Sequence, residues 1–177
     1  MPKSPKTHRP NSVFVFTTSL GWMAMVGSGR ILKQLAVGHD SPGGAMAALD
    51  PELTRGARTT NWNPALVRRL RAYARGKAES FRGVVVDLGW QTQFQRRVTA
   101  CCGSIPRGQT MSYGEVAAKA GSPGAARAVG QCMATNRAPL VIPCHRVVRS
   151  DGGLGGYSGP GGQKLKLHLL ELETART

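Results

Sequence analysis

The sequence is poor in acidic residues, and both halves share this shortage. It has 9 Asp and Glu against 24 Lys and Arg, which gives a formal charge of +15 at pH 7. Residues 1–87 hold 13 basic and 5 acidic residues, and residues 88–177 hold 11 and 4. A field of this sign attracts polyanions, because each phosphate that a cation neutralises releases condensed counterions. The composition favours a nucleic-acid partner, although a charge that only keeps the protein soluble fits it as well.

The chain also lacks the cysteine patterns of metal sites and disulfide scaffolds. Its four cysteines all lie in the C-terminal half, and none has a C-x-x-C or Cys/His ligand spacing. They are Cys101, Cys102, Cys132 and Cys144. Since reduced thiols are typical of the cytoplasm or the nucleus, we expect one of these compartments, and we expect neither a metal nor a cofactor.

A signal peptide or a membrane anchor is not expected either. Residues 1–10 are basic and residues 11–29 carry no charge, which superficially imitates both kinds of segment. Polar residues 17–19 interrupt the apolar run, and no clear small-x-small cleavage pattern follows it. The segment fits short strands around turns better.

The N-terminal half predicts a small sheet. Residues 13–18, 22–26 and 31–37 are strand-like runs separated by Gly- and Ser-containing turns, and an antiparallel meander is the simplest result. Residues 38–60 are rich in Gly, Pro and Ala without a sustained period, which predicts a loop.

One helix follows this loop. Asn63 and Pro64 supply an N-cap and a first-turn proline, and the predicted helix continues to Gly76 with Leu66, Leu70 and Tyr73 on one face. Residues 84–86 then predict an extended connector into the second half.

The C-terminal half predicts three helices before its most unusual segment. Thr92 can cap a helix whose core face includes Cys101 and Cys102. Residues 112–115 fit a capping box, so a second helix starts there and ends at Gly121. Ser122 and Pro123 open a third helix that runs to about residue 135.

The second and third of these helices form a possible helix-turn-helix. In this motif the second helix can enter a groove of nucleic acid. Small residues on the third helix would allow its backbone to approach DNA while Arg127 projects, but tight helix packing favours small residues too. The spacing alone therefore leaves DNA binding open.

Cys144 and His145 stand between two apolar, β-branched runs. A thiol reacts as the thiolate, and a reference pKa of about 8.5 leaves only a few per cent ionised at neutral pH. His145 and Arg146 could lower this pKa, although adjacent side chains on a strand point to opposite faces, so a bridging water is the plausible link. From the residues alone, a buried structural cysteine remains the alternative.

The order of motifs resembles the O6-alkylguanine-DNA alkyltransferase family, whose members repair alkylated DNA by direct reversal. Its pattern has a Ser-Tyr-Gly helix start, an Arg-Ala-Val-Gly helix, an Asn, a Pro-Cys-His-Arg segment and a later Gly-Tyr. The chain has these in order as Ser112-Tyr113-Gly114, Arg127-Ala128-Val129-Gly130, Asn136, Pro143-Cys144-His145-Arg146 and Gly156-Tyr157. The close resemblance spans residues 88–173, and residues 12–87 resemble the family's N-terminal domain more faintly.

The resemblance implies an α/β (α+β) fold in two domains. Residues 1–87 would form a small antiparallel sheet with a helix, in a ribonuclease-H-like topology, that gives structural support. Residues 88–177 would form a mainly helical domain with a winged helix-turn-helix. The implied protein is a monomer without a cofactor that acts on double-stranded DNA carrying O6-alkylguanine, mainly O6-methylguanine, with O4-methylthymine as a further substrate.

The resemblance also implies the chemistry. Cys144 would attack the alkyl carbon on guanine O6 and keep the alkyl group as a thioether, so each molecule acts once. His145 would deprotonate Cys144 through a water, with a glutamate behind it to orient the imidazole. Tyr113 would lie near the 3′ phosphate and protonate the departing guanine, and Asn136 would brace the turn beside the active site.

Because O6 lies inside the stacked duplex, the target nucleotide must be flipped into a pocket. Arg127 would fill the space that the nucleotide leaves, and the recognition helix would bind the minor groove. The other implied contacts are Tyr113, Ala126, Ala128 and Gly130 with DNA, and Tyr157, Ser158 and Pro139 with the flipped base.

The chain departs from the family pattern in several places. Arg137 stands where the family commonly has Pro, and Cys132 stands at a helix position that is usually Ala. Residues 158–163 form a loop about two residues longer than usual, which blurs the position of the orienting glutamate. Anchoring on residues 169–170 selects Glu173, our choice, whereas counting from the tyrosine before the loop favours Glu171.

Three other functions compete with this interpretation. A lesion-binding relative without repair activity would lack the nucleophile, which this chain keeps as Cys144. A transcriptional regulator on the same helix-turn-helix would need a sensor segment, which the N-terminal half does not offer. A Cys-His hydrolase would need an oxyanion site that the sequence does not identify.

Overall fold

The computed structural model describes residues 10–175, which form a mixed α/β fold. The N-terminal part is built on a five-stranded sheet in the order β4-β1-β2-β3-β5. The strands are β1 Ser12–Thr18, β2 Gly21–Ser28, β3 Ile31–His39, β4 Arg58–Thr59 and β5 Val85–Val86. The three long strands form the predicted antiparallel meander. The short edge strands β4 and β5 pair in parallel with β1 and β3, respectively.

Alternation along β2 explains how the sheet buries both of its faces. Met23 and Met25 belong to the large core on one face, whereas Ala24 and Val26 belong to a smaller cluster on the other. Successive side chains of a strand point to opposite faces, so a strand with apolar residues at every position is covered on both sides. All four of these residues are fully buried.

The prediction of a loop over residues 38–60 is wrong. This region contains two short helices, α1 Pro42–Ala47 and α2 Pro51–Thr54, and the edge strand β4. Each helix begins with a capping side chain, Ser41 or Asp50, followed by a proline at the first helical position. The helices span only six and four residues, too few for a hydrophobic period to show in the sequence.

Helix α3 Pro64–Ala74 lies where it was predicted and covers the face of the sheet that carries Met23 and Met25. The Asn63 side chain accepts a hydrogen bond from the Leu66 backbone N–H at 3.1 Å. Leu66, Leu70 and Tyr73 are buried on one face of the helix. The face of α3 that packs inward therefore carries one polar group, the Tyr73 hydroxyl, into the core.

The C-terminal part is mainly helical and contains the helix-turn-helix. Its elements are α4 Gln93–Gly103, β6 Met111–Ser112, α5 Tyr113–Lys119, α6 Ala126–Ala134, β7 Val147–Val148 and α7 Gln163–Thr174. The predicted capping box at the start of α5 is present, because Ser112 and Glu115 exchange hydrogen bonds between side chain and backbone. The two short strands β6 and β7 pair in parallel beside these helices.

The predicted start of the third helix is wrong by about four residues. Helix α6 begins at Ala126, and residues 122–125 form a turn instead of its first residues. Gly124 has φ of 86° in this turn, a left-handed conformation that ends a helical path. In α4, Cys102 is buried as predicted, whereas Cys101 is only half-buried.

A large apolar cluster joins the two parts of the chain. It runs from the sheet and α3 to residues of α4, α5, α6 and α7. Polar contacts reinforce the junction, since the Leu35 N–H donates to the Arg137 carbonyl at 2.8 Å and Arg107 donates to the Gly76 and Leu172 carbonyls at 2.8 Å. The division at residue 87 stays a prediction. Between residues 10 and 175, no helix is long and apolar enough to cross a bilayer.

Candidate active site

Cys144 begins a short 3-10 turn, Cys144–Arg146, rather than continuing a strand. The expectation that Cys144 and His145 point to opposite faces of a strand is therefore wrong. Pro143 precedes the turn, and its carbonyl accepts a hydrogen bond from the Arg146 N–H at 2.9 Å. The turn buries the side chains of Cys144, His145 and Arg146 together.

The Cys144 side chain lines a cleft of about 620 Å³. Helix α6 forms one wall of this cleft, and the cysteine itself is only 5% exposed. The cleft brings together many of the residues singled out in the sequence: Tyr113, Ala126, Arg127, Gly130, Cys144, Tyr157 and Ser158. A small planar group that entered here would reach the thiol while it lay against α6.

A second cleft of about 640 Å³ reaches Cys144 from the side of the N-terminal sheet. Pro139 lines this cleft and not the first one. Tyr157 and Ser158 line both clefts, whereas Gly159 and Pro160 of the long loop line only the second. The long loop therefore borders the space on the sheet side of the thiol.

Burial keeps Cys144 as a neutral thiol in the resting protein. Desolvation raises its pKa, while a hydrogen bond from the Asn136 side chain and the charge of Lys166 oppose this rise. The backbone N–H groups of Cys144 and His145 also favour the thiolate. A buried thiol in this environment needs a base when it reacts, and its thiolate already has donors in place.

The Asn136 side chain braces the turn that leads to Cys144. Its Nδ2 donates to the Ile142 carbonyl at 2.8 Å, and its Oδ1 accepts from the Ala138 N–H at 3.0 Å. Arg137, at the position where the family commonly has proline, pairs with Asp50 at 3.2 Å and lies 5.0 Å from the Trp90 ring. Arg137 thus ties the active-site turn to the N-terminal part.

Glu173, on α7, lies directly behind His145. Its Oε1 is 2.8 Å from His145 Nε2, and neither side chain is exposed. Glu171, the alternative from the sequence, is exposed to solvent. The structure thus brings Glu173 to the imidazole and leaves Glu171 outside.

The Glu173 carboxylate accepts five hydrogen bonds, from the Tyr73 hydroxyl, His145 Nε2, two nitrogens of Arg146 and the Gly108 N–H. Burial by itself raises its pKa, but the hydrogen bonds from His145 and Arg146 outweigh burial and hold the pKa of Glu173 well below its usual range. The carboxylate stays ionised and accepts hydrogen bonds only. Its role is to hold its neighbours in place.

These contacts determine which nitrogen of His145 carries the proton. Because an ionised Glu173 can only accept, Nε2 must be the protonated nitrogen. Nδ1 then carries the lone pair, and this buried atom has no hydrogen-bond partner among residues 10–175. Burial lowers the pKa of His145, so the imidazole is neutral at neutral pH and Nδ1 can accept a proton.

Two further buried polar residues, Arg146 and Tyr73, belong to this network, and Lys166 acts on Cys144 through its charge. The sequence had indicated Arg146 only as a cation that could lower the pKa of Cys144 and Tyr73 only as a core residue. Arg146 donates to both carboxylate oxygens of Glu173 and to the Ile105 carbonyl, and Tyr73 contributes its hydroxyl from α3. Lys166 is fully buried and donates to the Val147 carbonyl at 2.6 Å. No local pattern in the sequence marked Tyr73 and Arg146 as partners of Glu173, because these contacts join segments far apart in the chain.

Tyr113 stands at the start of α5, half-buried at the wall of the first cleft. Its hydroxyl lies against Gly155, where a Cβ would come within 2.6 Å of the phenol oxygen. Gly155 also has φ of 72°, so this position requires glycine for two reasons. Burial raises the pKa of Tyr113, which keeps its phenol protonated and able to donate.

Arg127 and Ala128 are exposed on α6, and Ala126 and Gly130 are half-buried beside them. The exposed face of the helix therefore presents one long cation among small side chains. Val129, Cys132 and Met133 point into the core on the opposite face. Cys132 is 8% exposed, and burial raises its pKa, so this thiol packs within the protein.

The model for the DNA-binding domain of 6-O-methylguanine DNA methyltransferase matches residues 93–175. A methylated-DNA–protein-cysteine methyltransferase of Methanothermobacter thermautotrophicus is 49% identical over 108 residues, 61% of this chain and 59% of the relative. The relative of that name from Mycobacterium bovis is 44% identical over 123 residues, 66% of this chain and 72% of the relative. The matched segment thus covers under two thirds of the archaeal relative and more of the mycobacterial one.

The similarity in three dimensions extends over nearly the whole chain. The crystal structure of the O6-methylguanine methyltransferase of Mycobacterium tuberculosis superposes with a TM-score of 0.80 at 35% identity and covers 94% of both chains. A structure of the M. tuberculosis protein in complex with DNA has a TM-score of 0.74 at 34% identity and covers 92% of both chains. This chain belongs to the methylated-DNA–protein-cysteine methyltransferase family.

Proposed function

We propose that the protein transfers an alkyl group from O6 of a guanine in DNA to Sγ of Cys144, once per molecule. One observation carries this proposal. Cys144 lies at the cleft beside α6, and the next residue, His145, forms a buried pair with Glu173. A nucleophile, a base and an orienting carboxylate in this order form the arrangement of nucleophilic catalysis, here opening towards a helix suited to DNA.

The thiol proton leaves first. Cys144 and His145 are both neutral at rest, because burial raises the pKa of the thiol and lowers the pKa of the imidazole. The proton passes from Sγ through a bridging water to Nδ1 of His145. Glu173 stabilises the imidazolium that forms, and Asn136, the nearby backbone N–H groups and the Lys166 charge stabilise the thiolate.

The thiolate then attacks the alkyl carbon in line with its bond to O6. The new S–C bond forms as the C–O bond breaks, and the electron pair of that bond goes to the guanine. Tyr113 donates its proton to the departing base. The proton held by His145 then passes through solvent to the Tyr113 oxygen and restores the phenol. In total, the thiol and the alkylguanine become a thioether and guanine, and no redox partner is needed.

The base must leave the duplex to reach Cys144. Helix α6 is suited to lie in the minor groove, because Ala126, Ala128 and Gly130 let its backbone approach the DNA. Arg127 projects from the same face and fills the gap that the flipped nucleotide leaves. Tyr113 contacts the 3′ phosphate, so the helix-turn-helix holds the strand on both sides of the lesion.

The flipped base is held between the walls of the cleft. Tyr157 and Ser158 contact the base on the side of the long loop, and Pro139 bounds the adjoining space on the sheet side. O6-methylguanine is the main substrate. O4-methylthymine, which presents the same alkyl–oxygen chemistry, is a further candidate.

The function is tested by following a labelled methyl group. Duplex DNA with radiolabelled O6-methylguanine is incubated with the protein, and the label is located by peptide mapping. We expect at most one label per molecule, on the peptide that contains Cys144, and restored guanine in the DNA. Cys144→Ala abolishes transfer, whereas the matched control Cys132→Ala retains it.

The same experiment separates the alternatives. Label that stays in tightly bound DNA would indicate a lesion-binding protein, and binding without lesion preference would indicate a regulator. Transfer that survives Cys144→Ala would overturn the mechanism.

Light scattering during this assay checks the expected monomer. We place the protein where DNA and reduced thiols occur together, in the cytoplasm or the nucleus.

A further inference from the structure

Tyr73 carries a hydroxyl from the N-terminal part into the buried network behind Cys144. Its side chain is fully buried on α3. The phenol oxygen lies 2.6 Å from Glu173 Oε1 and 3.3 Å from His145 Nε2. Apolar contact would satisfy a core position on α3, so a tyrosine here is explained only by what its hydroxyl does.

Only one assignment of protons fits these distances. Glu173 is ionised and accepts, so the short contact is donation from the Tyr73 hydroxyl to the carboxylate. Burial and the Glu173 charge both raise the pKa of Tyr73, which keeps the phenol protonated. The longer contact then places the Tyr73 oxygen as a weak second acceptor for the His145 Nε2–H. The Tyr73 hydroxyl therefore contacts both His145 and Glu173.

We propose that Tyr73 is a positioning residue for alkyl transfer: its hydroxyl holds Glu173 and His145 in the arrangement that leaves Nδ1 of His145 as the base. This proposal rests on the proposed function and extends it to the N-terminal part. That part supplies a group to the reactive network, beyond the structural support expected from the sequence.

The surroundings keep the Tyr73 ring in place. The Phe81 ring lies 5.6 Å from it, and the Arg107 guanidinium lies 5.6 Å from its centre. Arg107 also donates to the carbonyls of Gly76, just after α3, and Leu172 on α7. The two helices that carry Tyr73 and Glu173 are thereby fastened to each other beside the hydroxyl.

The charges around His145 determine how removal of the hydroxyl acts. They are Glu173 and Lys166 on α7, Arg146 in the same turn and Arg107 above the Tyr73 ring, with Cys144 as the neighbouring titratable group. Of these, only Glu173 receives a hydrogen bond from Tyr73. Without that donor, the carboxylate concentrates more negative charge on Oε1 and favours the imidazolium, so His145 becomes protonated at higher pH.

The test is the pH profile of single-turnover transfer from duplex O6-methylguanine DNA. Tyr73→Phe removes the hydroxyl and keeps the ring. We expect transfer to be about tenfold slower at pH 7 and the acidic limb of the profile to move to higher pH, in keeping with the partial loss of a general base. Phe81→Leu is the control, because it loosens the packing of the same ring without touching the hydroxyl.

A second substitution should shift the acidic limb of the pH profile in the opposite direction. Replacement of Tyr73 by 3-fluorotyrosine strengthens the phenol as a donor, so the acidic limb should move to lower pH than in the unmodified protein. This measurement also decides the matter if Tyr73→Phe does not fold. Limbs that stay in place for both variants, or that shift equally in Phe81→Leu, would overturn the proposal and leave Tyr73 a packing residue.

The pH profile of Cys144 alkylation by iodoacetamide separates this proposal from the function itself. It needs no DNA and reports the same base. Unmodified protein that fails to take a methyl group from DNA, with an iodoacetamide profile that still shifts in Tyr73→Phe, would sink the proposed function and support the role of Tyr73. Normal methyl transfer to Cys144 with pH profiles that do not shift would support the proposed function and refute the role of Tyr73.

Discussion

Arg146 holds Glu173 by both carboxylate oxygens, with Nε 2.9 Å from Oε2 and Nη2 2.8 Å from Oε1. The two residues come from the turn that carries Cys144 and from the last helix, and both are buried. A bidentate pair of this kind is both strong and directional. It fastens the carboxylate at the place where it also meets the imidazole, so the geometry of the base depends on the ion pair behind it.

Loss of the Glu173 charge should therefore affect both stability and activity. Glu173→Gln leaves Arg146 buried without its counter-ion, which we expect to cost about 3–5 kcal/mol in the free energy of unfolding. Transfer should slow by about 100-fold, since the imidazolium loses its support. Urea unfolding and single-turnover kinetics measure the two effects.

Glu171→Gln is the matched control on the same helix. Glu171 is exposed, and an exposed substitution of this kind changes the free energy of unfolding by about 0.5 kcal/mol or less. Transfer by Glu171→Gln should equal that of the unmodified protein. A loss of rate in Glu171→Gln comparable to that in Glu173→Gln would contradict the assignment of the orienting glutamate.

The pH dependence of stability gives an independent reading of Glu173. Its pKa in the folded protein lies well below the ordinary value of 4.5, so below about pH 4.5 the unfolded chain takes up a proton that the folded protein resists. The stability that the ionised carboxylate contributes is present above that pH and is lost as the pH falls. His145, whose folded pKa is also lowered, acts in the same direction below about pH 6.5.

We expect the difference in urea midpoint between the unmodified protein and Glu173→Gln to persist from neutral pH down to about pH 4.5 and to narrow below it. Glu79, whose pKa is lowered by its bonds with Arg69 and nearby backbone despite partial burial, is common to both proteins and cancels in this difference. A difference that is constant from pH 3 to 7 would show that Glu173 is not held ionised.

Local signals in the sequence were enough for the three long strands, for helices α3 to α5 and for the motif. The caps at Asn63 and Ser112 and the strand-like runs between Gly- and Ser-containing turns predicted helices and strands that the structure contains. These signals act within a few residues, so one sequence contains all of the information. The order of motifs around Cys144 then selected the family.

Long-range contacts could not be predicted in the same way. Tyr73 and Glu173 are 100 residues apart, and their hydrogen bond depends on how α3 packs against α7. The choice between Glu171 and Glu173 also needed the path of the long loop, because those two residues point in different directions on one helix. The 3-10 turn at Cys144 was missed since β-branched residues on both sides favoured a strand.

Gly155 offers a test of Tyr113 that leaves the tyrosine itself unchanged. Gly155→Ala places a methyl group within 2.6 Å of the Tyr113 hydroxyl and imposes φ of 72° on an alanine. We expect a loss of about 1–3 kcal/mol in the free energy of unfolding from the backbone strain. Transfer should slow by about tenfold or more, because the displaced phenol no longer reaches the departing base.

Gly156→Ala is the neighbouring control. A Cβ at Gly156 meets nothing within 4 Å, and its backbone is not left-handed. Stability should stay close to that of the unmodified protein, and transfer should fall less than in Gly155→Ala, although Gly156 also lines the cleft. Equal losses in both variants would mean that the loop tolerates no side chain at all, and the argument from Tyr113 would then fail.

Arg127 should matter for extrusion of the base and not for the chemistry that follows. Arg127→Ala removes the long cation from the exposed face of α6 and leaves Cys144, His145 and Glu173 untouched. We expect repair of duplex DNA to slow by about 10- to 100-fold, since unstacking a base costs a few kcal/mol that the inserted side chain offsets. Transfer from single-stranded DNA should fall less, and transfer from free O6-benzylguanine should be nearly unchanged.

Arg68→Ala separates this effect from a general loss of positive charge. Arg68 is exposed on α3, far along the chain from the recognition helix, and its removal lowers the net charge by the same amount. It should weaken DNA affinity slightly and in a salt-dependent way, with the same effect on duplex and single strand. The assignment of Arg127 to base flipping would be wrong if Arg127→Ala slowed transfer from duplex, single strand and free base equally. It would also be wrong if Arg68→Ala slowed transfer from duplex DNA more than from the other two substrates.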